Sequence, residues 1–177
     1  MSNVRRRKMR VRSGQHTDAA NLAALAIQVW LHTYATEGIS STISGYVLSE
    51  FTAEKFEARL FDPSYVVVVA ETSGNLVGYA IVRPGTVCPE HPSAKAELAT
   101  LYVQEHFAGR GVGSLLLKES ELHARQLAGS SLWLTVNSKT SRAIAFYARH
   151  AYASIGISYF RLGSQDHANF VLVGRDA

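Results

Sequence analysis

Gly109, Gly111 and Gly113 stand at every second position and flank Arg110, in the stretch LYVQEHFAGRGVGSLLL from Leu101 to Leu117. An apolar run ends at Val103, and a leucine-rich helical pattern begins at once after the glycines. The order is a strand, a backbone-rich loop and a helix N-terminus. Glycines let main-chain N–H groups approach a ligand with no Cβ in the way. A helix N-terminus adds unpaired donors and partial positive charge, so the segment suits a diphosphate. The nucleoside-triphosphate loop needs a lysine after its glycines, and none is there. The dinucleotide fingerprint needs a third glycine where Leu116 stands, and an acidic residue where the chain reads SSLWLTV. The remaining readings are another diphosphate cradle or a tight strand–helix turn that binds nothing.

A second segment, SLWLTVNSKTSRAIAFYARH from Ser131 to His150, narrows that choice. Leu132–Val136 is a strand pattern, and the polar cluster after it offers helix caps. Arg142–Arg149 reads as a helix, with Ala143, Ile144 and Tyr147 on one face.

Together the two segments resemble the GCN5-related N-acetyltransferase (GNAT) superfamily. Its first motif, Gln/Arg-x-x-Gly-x-Gly/Ala, is carried by Gly111-Val112-Gly113, and its Ala-x-x-x-Tyr helix by Ala143 and Tyr147. The likeness extends from about Arg10 to Val173. It departs at Ala108, where the family has Gln or Arg; at Thr140, where it often has Asn; and at Ala151-Tyr152, where it usually has Gly-Phe. None of these changes removes a main-chain donor.

The resemblance implies a single α/β domain, a mixed sheet of about seven strands with helices on both faces, whose fourth and fifth strands splay apart. It implies acetyl-CoA as co-substrate and no metal. Leu101, Tyr102 and Val103 would flank the pantetheine arm. Gly109, Arg110, Gly111, Val112, Gly113 and Ser114 would cradle the pyrophosphate, with Asn137, Thr140 and Ala143 near the rest of the arm. Tyr147 resembles the family's general acid for the thiolate, the alternative being a core tyrosine. Relatives often place a glutamate where Glu97 stands, acting as base directly or through water. Strict alternation puts Glu97, Ala99, Leu101 and Val103 on one face of that strand, with Leu98, Thr100 and Tyr102 on the other. A carboxylate among apolar strand residues is costly without a partner, which points to function or to an edge open to solvent. Tyr102 is an alternative water-holding group.

The implied reaction is acetyl transfer to a primary amine by direct attack. The closing segment, AELATLYV and the TYATEGISSTISGYV region resemble PaiA-type polyamine acetyltransferases, and Glu37, Glu50, Glu90 and Glu97 are the carboxylates available to polyamines. Alternatives are an acetyltransferase for protein N-termini or aminoglycoside-type amino sugars, a CoA-binding sensory domain without turnover, and a nucleic-acid-binding module.

That last class rests on the N-terminus. The chain has 177 residues, 47% hydrophobic and 18% charged, with a formal net charge of +4, which is the composition of one globular domain. Arg5, Arg6, Arg7, Lys8, Arg10 and Arg12 lie in a stretch without acids, and the rest has 12 basic against 14 acidic residues. A basic tail over 1–7 therefore precedes a near-neutral domain over 8–177; the tail is either solvated or a nucleic-acid contact. No apolar run reaches the roughly 20 residues needed to span a bilayer. The single cysteine, Cys88, excludes an internal disulfide and fits a cytoplasmic location. The seven histidines lack metal-ligand spacing. A homodimer is expected alongside.

The elements that must carry these residues follow from periodicity and turn chemistry. Strands are expected over 8–12, 65–70, 76–82, 95–103, 132–136, 153–162 and 169–173, and helices over 17–34, 52–60, 113–128 and 142–149. Gly38–Gly45 and Arg83–Ala94 read as loops, the second for its three prolines. The expected order is β-α-α-β-β-β-α-β-α-β-β.

Overall fold

A computed structural model describes residues 9–175. The basic tail and Lys8 lie outside the described residues. Seven strands form one sheet: β1 Met9–Ser13, β2 Val66–Thr72, β3 Asn75–Pro84, β4 Ala96–Val103, β5 Leu132–Asn137, β6 Tyr152–Leu162 and β7 Gln165–Gly174. Five helices cover it: α1 Ala19–Tyr34, α2 Ser41–Glu50, α3 Ala53–Phe61, α4 Val112–Ala128 and α5 Ser141–Arg149. The hydrogen-bonded order is β1-β2-β3-β4-β5-β7-β6, antiparallel except for the parallel pair β4–β5.

Strand alternation sorts the core into two layers. Val68, Ala70, Ala80, Val82 and Leu98 pack with Val112, Leu116, Leu117 and Tyr147 from α4 and α5. Val67, Val69, Tyr79 and Ile81 pack with Leu22, Ala26, Trp30, Val47 and Phe56 from α1, α2 and α3. Both faces are therefore covered, as a sheet with a parallel pair requires. At the sheet edge, Arg12 forks onto Asp18 at 2.7 and 3.0 Å and reaches Glu71 at 2.9 Å. That network ties β1 to the start of α1 and to β2, and the guanidinium hydrogen bonds hold the Asp18 carboxyl below its ordinary value.

Three expectations are corrected. The segment 38–45 is not all loop: Ser40 accepts a hydrogen bond from the Ile43 N–H and caps α2, so three helices, not two, separate β1 from β2. Strand β7 begins at Gln165 rather than 169, because the hairpin turn at Gly163 is tight and Arg161 clasps Asp166 across it. Strict alternation also fails in β4. Ile81 pairs with Thr100 but Val82 pairs with Leu98, so Ala99 is an extra, bulged residue. Leu101 and Val103 therefore join Ala96 and Leu98 on the α4–α5 face, while Glu97 falls on the opposite face with Tyr102.

Candidate active site

The strands β4 and β5 pair at only two rungs, Ala96↔Leu132 and Glu97↔Trp133. Past those rungs β3 still holds β4 up to Val103, and β7 still holds β5 up to Asn137. The two strands part because each is anchored on its other side. The result is a V-shaped opening with unpaired backbone edges, and the bulge at Ala99 lies inside it. Buried backbone donors and acceptors need partners. Such edges are ready to hold an extended, amide-bearing ligand by strand-like hydrogen bonds.

The glycine loop closes the open end of the V. The Gln104 N–H donates to Val77 O at 2.9 Å, a short 3-10 turn follows over Glu105–Phe107, and Arg110 lies over the Phe107 ring at 5.4 Å. Gly109 and Gly111 both take left-handed φ, +72° and +83°, which L side chains rarely adopt. Gly111 is the N-cap of α4 and supplies no side-chain cap. None of the N–H groups from Gly109 through Ser114 finds a backbone acceptor among the described residues. Left-handed residues beside the right-handed start of a helix are the alternation from which main-chain anion nests are built. A Cβ built on Gly109 or Gly111 meets no atom within 4 Å, so this side of the loop is open. Gly113 has a different task. A Cβ there would lie 3.3 Å from the Phe146 ring, so this glycine lets α4 approach α5.

The other candidate residues distribute as follows. Leu101 and Val103 support the V from the α4–α5 face, while the Tyr102 ring turns away and packs edge-on against Tyr79 at 5.6 Å. Only the Tyr102 backbone edges the V, and burial drives its phenol well above the ordinary value. Asn137 ends β5, and its Oδ1 accepts from the Lys139 N–H at 2.9 Å, forming the turn into α5. Thr140 is the N-cap of α5 without a side-chain cap bond, and Ala143 is half-buried against the core. Val112 is buried in that core. Tyr147 is buried beside Phe146 and Tyr152, with ring centroids at 5.1 and 5.6 Å. Burial alone raises its phenol well above the ordinary value, so it stays protonated.

Glu97 has the partner its setting demands. Arg83, directly across on β3, donates to it at 3.0 Å. The pair sits at the last closed rung of the V, on the face opposite Tyr147. A buried phenol thus lies on one face of the sheet and a paired carboxylate on the other.

Several neighbours of the opening escaped the sequence reading. The β6–β7 hairpin arches toward α2: Thr42 crowds Gly163, and Phe160 meets the Tyr46 ring at 5.8 Å. Tyr46 in turn stacks on Trp30 at 4.9 Å, and Trp30 on Tyr34 at 4.7 Å. His167 stands opposite Phe160 on the hairpin, and its Nε2 is buried without a hydrogen-bond partner among the described residues. The helical spacing of Ile43, Tyr46 and Val47 is the sequence signal that could have found this wall.

Comparison with known proteins agrees with this geometry. Residues 29–152 match the model of the acetyltransferase (GNAT) family. An N-acetyltransferase of Mycobacterium tuberculosis, itself uncharacterised, is 29% identical over 157 residues, spanning 89% of this chain and 97% of that protein. The N-alpha-acetyltransferase RimI of the same organism is 32% identical over 114 residues, 63% of this chain and 68% of that one. Among solved structures, the PaiA N-acetyltransferase of Thermoplasma acidophilum in complex with coenzyme A superposes with a TM-score of 0.75. It has 19% identity, over 96% of this chain and 99% of that one. The splayed β4–β5 pair, the open nest and the matched residues converge: the chain belongs to the acetyltransferase (GNAT) family and is an acetyl-CoA-dependent N-acetyltransferase.

Proposed function

We propose that this chain transfers the acetyl group of acetyl-CoA to a small primary amine by direct attack. The observation that carries the proposal is the V between β4 and β5, capped by the nest of open N–H groups. In this reading the pyrophosphate rests on Gly109–Ser114 and the pantetheine lies along Leu101–Val103. Asn137, Thr140 and Ala143 flank the arm from the α5 side. The amine enters from the α1–α2 face, where the Glu97 carboxylate, oriented by Arg83, accepts its proton directly or through a water. Amide N–H groups at the Ala99 bulge stabilise the oxygen as it gains charge. Tyr147, on the opposite face, protonates the departing thiolate.

The acceptor reading favours a monoamine over a polyamine. A polyamine needs several unengaged carboxylates along its length. Of the four carboxylates available to polyamines, Glu50 is already held by Lys55 at 2.9 Å and Arg59 at 2.7 Å, and Glu97 by Arg83, which leaves Glu37 and Glu90 without a basic partner among the described residues. The approach is walled instead by Tyr34, Tyr46 and Phe160, rings that attract a single ammonium or an apolar body. His167 Nε2 offers such an acceptor one polar contact. Likeness to RimI supports a second reading, a peptide N-terminus as acceptor.

The test is an amine panel assayed for CoA release: spermidine, an arylalkylamine, an aminoglycoside and an N-terminal alanine peptide. The expected result is turnover, greatest with the arylalkylamine and reduced in Glu97→Gln. Preference for spermidine would overturn the monoamine reading. Binding of acetyl-CoA without turnover of any amine would favour a sensory domain. Salt-dependent binding to DNA would favour the nucleic-acid module. Sedimentation at assay concentration tests the expected homodimer.

A further inference from the structure

Ser114 lies in the first turn of α4, at the edge of the nest, and its hydroxyl is not free. His150, the residue that closes α5, places Nε2 3.0 Å from Ser114 Oγ and Nδ1 2.9 Å from the Phe146 carbonyl oxygen. A carbonyl only accepts, so Nδ1 carries a hydrogen. In the neutral ring Nε2 is then an acceptor, and it takes the single Ser114 hydroxyl hydrogen. The hydroxyl can offer the nest only lone pairs, the wrong polarity for a phosphate oxygen. Protonation of the ring reverses this. Nε2–H then donates to Oγ, and the hydroxyl hydrogen is released to turn toward the nest.

We propose that His150 is a positioning residue for the donor's pyrophosphate: by taking a proton it converts Ser114 from an acceptor into a phosphate donor, so binding takes up a proton. This rests on the reading that the nest holds the pyrophosphate. Ser114 of α4 bonds His150, and Glu121 and Arg125 of α4, Tyr152 of β6 and Arg175 beyond β7 line the cavity that His150 shares. On its own helix the Phe146 ring lies at 4.4 Å. Glu121 accepts the Tyr152 hydroxyl at 3.0 Å. A bound pyrophosphate adds negative charge on the Ser114 side, where the proton is taken up.

The test is calorimetry with dephospho-CoA from pH 5.5 to 8.5. That probe lacks the phosphomonoester of CoA, whose second ionisation near pH 6 would confuse the profile. Repeating the titration in buffers of different ionisation enthalpy counts protons taken up. The wild type is expected to bind about tenfold tighter at the acid end, the worth of one hydrogen bond to a charged group, with net proton uptake. In Ser114→Ala the profile is flat and weak. In His150→Gln the side-chain amide donates to Oγ at every pH, so binding is flat and the tighter of the two. Any other pattern overturns the proposal. Thermal melts check folding, and if His150→Gln does not fold, the Ser114→Ala slope decides alone. A wild type that binds CoA and dephospho-CoA with no pH slope sinks only the His150 proposal. A wild type that binds neither removes the nest reading as well.

Discussion

Gly111→Asp separates the backbone demand of the nest from its charge preference. Gly111 holds φ +83° and no atom lies within 4 Å of an added Cβ, so the substitution makes no clash. A non-glycine residue in the left-handed region costs about 1–2 kcal/mol. A carboxylate at the N-terminus of α4 returns about 0.3–1 kcal/mol. The net loss of stability is about 1 kcal/mol, or about 2–4 °C in Tm for a chain of this size. The effect on ligand binding is much larger. The Asp side chain caps the N–H groups two or three residues on and repels the pyrophosphate. Losing two hydrogen bonds to charged oxygens weakens binding by roughly 100-fold or more. At acetyl-CoA equal to about 100 times the wild-type Kd, the parent gains about 2.7 kcal/mol, a rise of about 5–10 °C. The variant at the same concentration gains about 0.4 kcal/mol, close to 1 °C. Gly111→Asn carries the same backbone strain and can cap the same N–H groups without the charge, so any rise it keeps beyond that of Gly111→Asp measures the repulsion alone. The assay is thermal denaturation with and without acetyl-CoA. If Gly111→Asp keeps half or more of the wild-type rise, the pyrophosphate does not sit on this nest.

Tyr147→Phe keeps the ring against Phe146 and Tyr152 and removes only the hydroxyl. It is expected to lower kcat by roughly 100-fold with little change in acetyl-CoA affinity, and a kcat within about threefold of the parent would remove Tyr147 from the acid role. Because burial raises that phenol, the wild-type kcat profile should show no loss of the acid up to pH 10; a fall centred below pH 9 in the wild type alone would contradict it. The Asp18 carboxyl titrates below its ordinary value, so its contribution to stability is complete above about pH 5 and is lost as pH falls through the folded value. Arg12→Ala should cost about 3 kcal/mol near neutrality and flatten that acid limb in urea titrations, since it leaves Asp18 without its partner. A chain starting at Lys8 retains Arg10 and Arg12, which reach Glu71 and Asp18, and should keep full turnover; loss of most activity with folding intact would place the arginine tail in the acceptor site.

Local chemistry wrote much of this protein plainly into its sequence. Glycines at 109 and 111 leave the main chain open wherever they stand, and Thr52 caps α3 through the Lys55 N–H three residues on. The Ser73–Gly74 turn between two β-branched runs fixed a hairpin without help from elsewhere. The helix carrying Ala143 and Tyr147 was legible because its apolar spacing is complete within nine residues. Helix α2 was obscured because STISGYVLSE is rich in Ser and β-branched residues and carries a glycine; its few apolar anchors gain their worth only against Trp30 and Phe160.

The tertiary structure alone decided where the carboxylate and the wall of rings would stand. The bulge at Ala99 arises from pairing with β3, and one extra residue moved Glu97 to the other face of the sheet. Arg83 meets Glu97 across 14 positions, and His150 meets Ser114 across 36. No periodicity records either contact, because a hydrogen bond between distant side chains leaves no local trace. The V itself is of the same kind. Nothing within β4 or β5 tells them to part; each is drawn aside by its other neighbour, β3 or β7. The sequence determined which backbone and side-chain groups were available for acyl transfer, since those follow from residue type and near spacing. Packing of strands far apart in the chain decided which of them face one another across the opening.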